Sequence, residues 1–97
     1  MTDTMLPMLR QLYNADGNQA RADILLRIPD SVLLKYRGSI VEACRRASFE
    51  VGLAFVDMRT SALLAVRDAT GQVPPERAAM VERYRRALVG FVNGGAS

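Results

Sequence analysis

The stretch that decides the fold reads Ser39-Ile40-Val41-Glu42-Ala43-Cys44-Arg45-Arg46-Ala47-Ser48-Phe49-Glu50-Val51-Gly52-Leu53-Ala54-Phe55-Val56-Asp57-Met58-Arg59-Thr60-Ser61-Ala62-Leu63-Leu64-Ala65-Val66-Arg67-Asp68-Ala69. It holds no proline and a single glycine, Gly52. At about 100° per residue, Ile40, Cys44, Ala47, Val51, Ala54, Phe55, Met58, Ala62 and Ala65 fall on one uncharged arc. Phe49, Leu53, Val56, Thr60, Leu63 and Leu64 fall on the opposite arc. The charges Glu42, Arg45, Arg46, Glu50, Asp57 and Arg59 sit on the flanks or near the N-terminal end. A surface helix needs only one apolar stripe, so two opposed stripes predict a helix covered on both sides.

Length sharpens that expectation. As one helix the stretch spans about 46 Å at ~1.5 Å per residue. A compact chain of this size has a diameter of roughly 32 Å. Either the helix breaks, with Gly52 the natural place, or the fold is elongated and a second chain covers the excess. Ala47, Ala54, Ala62 and Ala65 are small enough to let a facing helix approach closely. The expected assembly is a helical homodimer or higher oligomer, two-fold dimers being the commonest. Its candidate interface with itself or a partner is Ile40, Cys44, Ala47, Val51, Phe55, Met58 and Ala62 on one arc, and Phe49, Leu53 and Val56 on the other.

Around this run the chain is punctuated three times. Asn14-Ala15-Asp16-Gly17-Asn18 is a turn cluster. At Ile28-Pro29-Asp30-Ser31 the proline pushes Ile28 out of the helical region, and Asp30 or Ser31 can cap the next helix. Thr70-Gly71-Gln72-Val73-Pro74-Pro75 is the third break, with prolines placed to open a last helix. The expected helices are therefore about 4–15, capped by Thr4, then 19–28, capped by Asn18, then 31–37, 39–69 and 75–92, with a frayed tail at 93–97. Segment 19–28 is ambiguous, because Ile24, Leu26 and Ile28 alternate as in a strand while Ala20, Ile24 and Ile28 fit a helix. No second strand-like run exists to pair with it, which favours helix. The expected architecture is one all-α domain, a small bundle of four to five helices with one long central helix.

Composition removes several chemistries. The 97 residues include no His, no Trp and one Cys, Cys44. A His-based triad, a Cys₂His₂ or Cys₄ zinc site and an internal disulfide have no residues to build them. Apolar residues make up 49% and charged residues 24%, the balance of a globular protein rather than a disordered one. The net charge of +3 comes from 13 basic and 10 acidic residues, too mild a balance to demand nucleic acid. No basic and apolar leader opens the chain, and the most apolar stretch, Val51 to Val66, carries Asp57 and Arg59 near its middle. Together with the lone Cys, this points to the cytoplasm and away from a membrane.

Few residues qualify for chemistry. Cys44 lies in an apolar stripe with no His to activate it, so it reads as a small buried thiol. Glu50 and Asp57 point the same way, but about 10.5 Å along the axis is long for one shared ion. Glu42 with Arg46, and Arg46 with Glu50, are spaced for helical ion pairs. The basic residues Arg77, Arg83, Arg85 and Arg86, joined by Arg45 and Arg46, are candidate contacts for phosphate or an acidic surface. Tyr84 in their midst could stack a base, though it also falls on the apolar face of its helix. The leading expectation is a non-enzymatic helical binding protein without cofactor or metal: a small regulator, adaptor or inhibitor of a larger protein. The alternative is a nucleic-acid or nucleotide-phosphate binder using the arginine cluster on the C-terminal helix.

Overall fold

The computed structural model of the chain describes residues 5–94. Thr4, expected to cap the first helix, and the end of the expected tail lie outside them. The described residues form six helices and no strand: α1 (Met5–Tyr13), α2 (Asn18–Arg27), α3 (Asp30–Lys35), α4 (Arg37–Arg46), α5 (Glu50–Leu64) and α6 (Pro75–Val92). The all-α expectation holds, and segment 19–28 is helical. Its cap differs: Gly17, not Asn18, occupies the N-cap of α2 with no side-chain bond, while the Asn18 amide oxygen accepts from Arg21.

The long central helix is the main correction. It breaks into α4 and α5, raising the helix count to six, and the break falls at Ser48 rather than at Gly52. Ser48 takes a left-handed conformation with φ of 54°. The Ser48 N–H donates to the Arg45 carbonyl at 3.0 Å, and the Phe49 N–H reaches back to the Cys44 carbonyl at 2.9 Å. These are the two bonds of a Schellman ending, with the hydrophobic pair Cys44 and Phe49 that accompanies it. The far end is also shorter than expected. Helix α5 stops at Leu64, and Ala65 turns extended. Beyond it the Asp68 carboxylate accepts from the Thr70 N–H, the Thr70 hydroxyl and the Gln72 N–H. A side chain that satisfies nearby backbone donors in this way competes directly with the helix.

Ion pairing shows that the chain doubles back at Ser48. Arg37 and Asp57 would stand about 30 Å apart on one straight helix. Here they form an ion pair at 2.8 Å. Helix α6 then runs antiparallel to both α2 and α5. The Gln19 amide donates to the Val92 carbonyl, Phe49 meets Phe91 edge-on at 5.2 Å, and at the other end Arg77 bonds Ser61. Helices α1 and α4 pack on each other and extend the helical layer sideways. The result measures 43 × 39 × 19 Å. With helices packing 8–10 Å apart, a thickness of 19 Å holds two layers.

The core sits where α2, α3, α4, α5 and α6 converge. Leu25, Ile28, Leu33, Ile40, Val56 and Leu88 are at most 1% exposed, and Leu12 joins them from α1. Each such side chain contributes roughly 1.5–3 kcal/mol when fully buried. Gly52 belongs to this core and not to a hinge. A Cβ there would lie 2.6 Å from the Phe49 ring and 2.9 Å from Leu25. The glycine is required because Phe49, turned inward by the Ser48 ending, lies across the first turn of α5. At the end of α6, Gly94 with φ of 83° closes the helix, its N–H donating to the Phe91 carbonyl.

Two alanine substitutions should therefore have opposite signs. In an ordinary helix Gly→Ala is worth up to ~1 kcal/mol of stabilisation. Gly90→Ala, with nothing within 4 Å of the added methyl, should raise stability by about that much. Gly52→Ala should lower it by roughly 1–3 kcal/mol, because a packed ring must move. Chemical denaturation of both variants checks the pair. A stabilising Gly52→Ala would contradict the packing of Phe49.

Candidate functional site

An apolar-walled concavity lies between α2, α5 and α6, bordered by Val73 of the 65–74 loop. Its volume is about 390 Å³. Leu26 from α2, Phe55, Ala62 and Leu63 from α5, Val73 from the loop, and Ala78 and Val81 from α6 make an apolar wall. The antiparallel run of α6 brings its first turns beside the second half of α5, and this is what opens the groove.

Four charged side chains stand in the same wall: Asp30, Arg59, Glu82 and Arg85. Arg59 is the unusual one. It lies on the inner side of α5, and its side chain is only 16% exposed. Its Nε and Nη2 donate to Asp30 Oδ1 at 3.1 and 2.5 Å, Nη2 also reaches the Ile28 carbonyl at 2.6 Å, and the guanidinium sits 5.8 Å from the Phe55 ring centre. A buried cation needs such a set of acceptors. The contacts tie α5 to the α2–α3 corner, where Ile28 is held extended ahead of Pro29. Asp30, expected as a cap, is the first residue of α3 and serves instead as the partner of Arg59.

Across the groove Glu82 collects two arginines. Arg85 donates through Nε and Nη2 to both carboxylate oxygens at 2.7 and 2.6 Å, and Arg86 adds Nε at 2.9 Å. These bonds hold the Glu82 carboxyl at about 2, well below its usual 4.5. All three groups are solvent-accessible, so the network orients side chains more than it stabilises the fold.

The expected arginine cluster is not assembled into one patch. On α6, Arg77, Arg83, Arg85 and Arg86 point in four directions around the helix at ~100° per residue. Arg77 is turned onto Ser61, and Arg85 and Arg86 onto Glu82. Arg45 and Arg46 belong to α4, which packs on α1, α3 and α5, whereas α6 packs on α5 and α2. Arg45 pairs with Glu42 at 3.1 Å, in place of the expected pairing of Glu42 with Arg46. Arg46 lies over the Tyr13 ring at 5.6 Å and not against Glu50.

The expected interface residues divide. Ile40, Cys44, Phe49, Phe55 and Val56 are buried in the chain's own core, and Ala62 nearly so. They are unavailable to a partner on the folded surface. Ala47, Val51, Leu53 and Met58 stay partly exposed. Burial also pushes the Cys44 thiol up to about 11, with nearby Arg21 opposing only slightly. It is a packed neutral side chain. Among the described residues no three of Cys, Asp and Glu converge as metal ligands, and no helix is long and apolar enough to cross a membrane.

Sequence pattern alone does not single out the groove residues Leu26, Asp30, Arg59, Val73, Val81 and Glu82. One signal is present: Arg59 interrupts an apolar helix near its middle, where a charge needs a partner. Glu82, with Arg85 and Arg86 at i+3 and i+4, is a second. Comparison with protein-family models, curated proteins and solved structures finds no match to this chain.

Glu82 offers a direct check on the groove's rim. Its folded value lies below its free value, so whatever the network adds is complete above about 4.5 and fades as pH falls through about 2. Carbon-detected NMR titration should place Glu82 near 2, and Arg85→Ala with Arg86→Ala should return it toward 4.5. A titration near 4.5 in the unsubstituted chain would show that the network does not persist in solution.

Proposed function

We propose that this chain is a non-enzymatic binding protein, a small regulator, adaptor or inhibitor, that engages a partner through the outer face of α5. One observation carries the reading. Helix α5 carries apolar residues on both its inner and its outer side, yet its own chain covers only the inner one. Phe55, Val56 and Thr60 face inward. On the outer side Ala54, Met58 and Ser61 are half-buried, Leu64 is 69% exposed, and Val66 just beyond the helix is 89% exposed. An outward face normally carries charge. Here Glu50 and Asp57 alone do so, since the third charge of α5, Arg59, points into the groove. Apolar surface of this kind marks interaction sites.

A second copy of the chain is one natural occupant, giving the two-fold homodimer that closed symmetry favours. A larger protein is the other. The nucleic-acid reading is less well supported, because four of its six arginines are hydrogen-bonded to partners within the chain and the other two, Arg46 and Arg83, lie on different helices. An acid–base enzyme is also less well supported, since no carboxylate in the groove is left without a cationic neighbour.

Sedimentation equilibrium at micromolar concentration, paired with capture of partners from host lysate, tests the proposal. The expected result is a mass above 10.7 kDa or a specific captured protein. Leu64→Glu with Met58→Glu should abolish either one while helical circular dichroism is retained. A 10.7 kDa species whose captured proteins are unaffected by the double substitution contradicts it.

A further inference from the structure

We infer that the groove on the opposite side of α5 is a binding site for a small amphipathic carboxylate, an apolar tail carrying one anionic head. Its volume, about 390 Å³, lies at the lower end of the ~300–1,000 Å³ range of small-molecule sites. Its lining is mostly apolar, including Leu26, Phe55, Leu63 and Val81, with four charged side chains set in the same wall. A few placed polar groups around an apolar body are the ordinary make-up of a ligand site.

The rim decides the sign of the head group. Arg59 and Arg85 each spend Nε and Nη2 on a carboxylate within the chain. Among the described residues neither Nη1 has a hydrogen-bond partner. Each guanidinium therefore holds its orientation and keeps donors to spare. The two acids are placed differently. Both oxygens of Glu82 already accept from arginines. Asp30 gives Oδ1 to Arg59, and its side chain is 59% exposed, so its remaining oxygen is open to solvent, as is the 46% exposed Arg85. The four charges in the groove wall balance, two arginines against two carboxylates, and Arg86, bound to Glu82, adds a third positive charge just outside it. An anionic head meets unspent donors on Arg59 and Arg85, the first of them partly removed from water, where charge-assisted bonds are stronger. A cationic head meets one solvated oxygen.

A ligand seated there touches α2, α5, α6 and Val73 of the 65–74 loop at once, and so stabilises the folded chain by binding it preferentially.

Decanoate, decanol and decylammonium, kept below their micelle concentrations, are the probes. They share a tail and differ in head. Titration calorimetry with the intact chain should show decanoate binding at least tenfold more tightly than decanol, and decylammonium weaker than both. Arg85→Met should weaken decanoate roughly tenfold, the worth of about one hydrogen bond to a charged group, and leave decanol unchanged. Ala78→Trp, at an exposed position on the groove wall, should fill the cavity and abolish decanoate binding with helical circular dichroism retained. Equal affinity for decanoate and decanol, tighter binding of decylammonium, decanoate binding indifferent to both substitutions, or no binding of any probe at millimolar concentration would each overturn the inference.

Discussion

The left-handed turn at Ser48 is the constraint on which the rest of the fold depends. With φ of 54°, Ser48 ends α4 and reverses the chain. For a residue other than glycine that conformation costs roughly 1–2 kcal/mol. Two backbone bonds to Arg45 and Cys44 offset it, and so does the burial of Phe49, worth about 1.5–3 kcal/mol for a large apolar side chain. Burial of Phe49 is the larger effect. Without the reversal, Phe49 would sit on a helix too long for the molecule to cover.

The consequences propagate outward. Phe49 lies across α5, so position 52 must be glycine. It meets Phe91 edge-on, which anchors the end of α6 and sets α6 antiparallel to α5. That direction lays the first turns of α6 beside Phe55, Arg59 and Leu63, opening the groove. Because the chain folds back early, it forms two layers and not three, and the outer side of α5 is left without a cover from its own chain. The two surfaces of interest, the groove and the outer face, are thus opposite sides of one helix whose start Ser48 determines.

Much of this is legible in the sequence, and the failures are instructive. Two opposed apolar stripes mark the 39–69 region as needing cover on both sides, and its excess length demands either a break or a second chain. Composition misplaces the break, because glycine is the usual left-handed residue and Ser48 carries no such mark. What betrays it is tertiary: the fit of Phe49 against Cys44, Gly52 and Phe91. Periodicity overruns the C-terminal limit of α5 for a similar reason, since Asp68, Thr70 and Gln72 fold a loop by side-chain bonds that it does not register. The arginines of α6 read as a cluster because they are close in sequence. On a helix, closeness in sequence spreads side chains around the axis, and Glu82, in sequence a mere opposing charge, organises two of them. Arg59 reads as a flanking charge, although a cation inside an apolar stripe must find acceptors, and it finds Ile28 and Asp30.

The reversal at Ser48 is open to direct measurement. Spin labels at Arg37 and Asp57, both exposed, in a Cys44→Ala background report the distance across it by electron–electron resonance. An unbroken helix would hold the two positions about 30 Å apart. The folded-back chain, in which the native side chains make an ion pair at 2.8 Å, predicts a distribution centred well under half of that helical distance. A sharp population near the full helical distance would contradict the reversal.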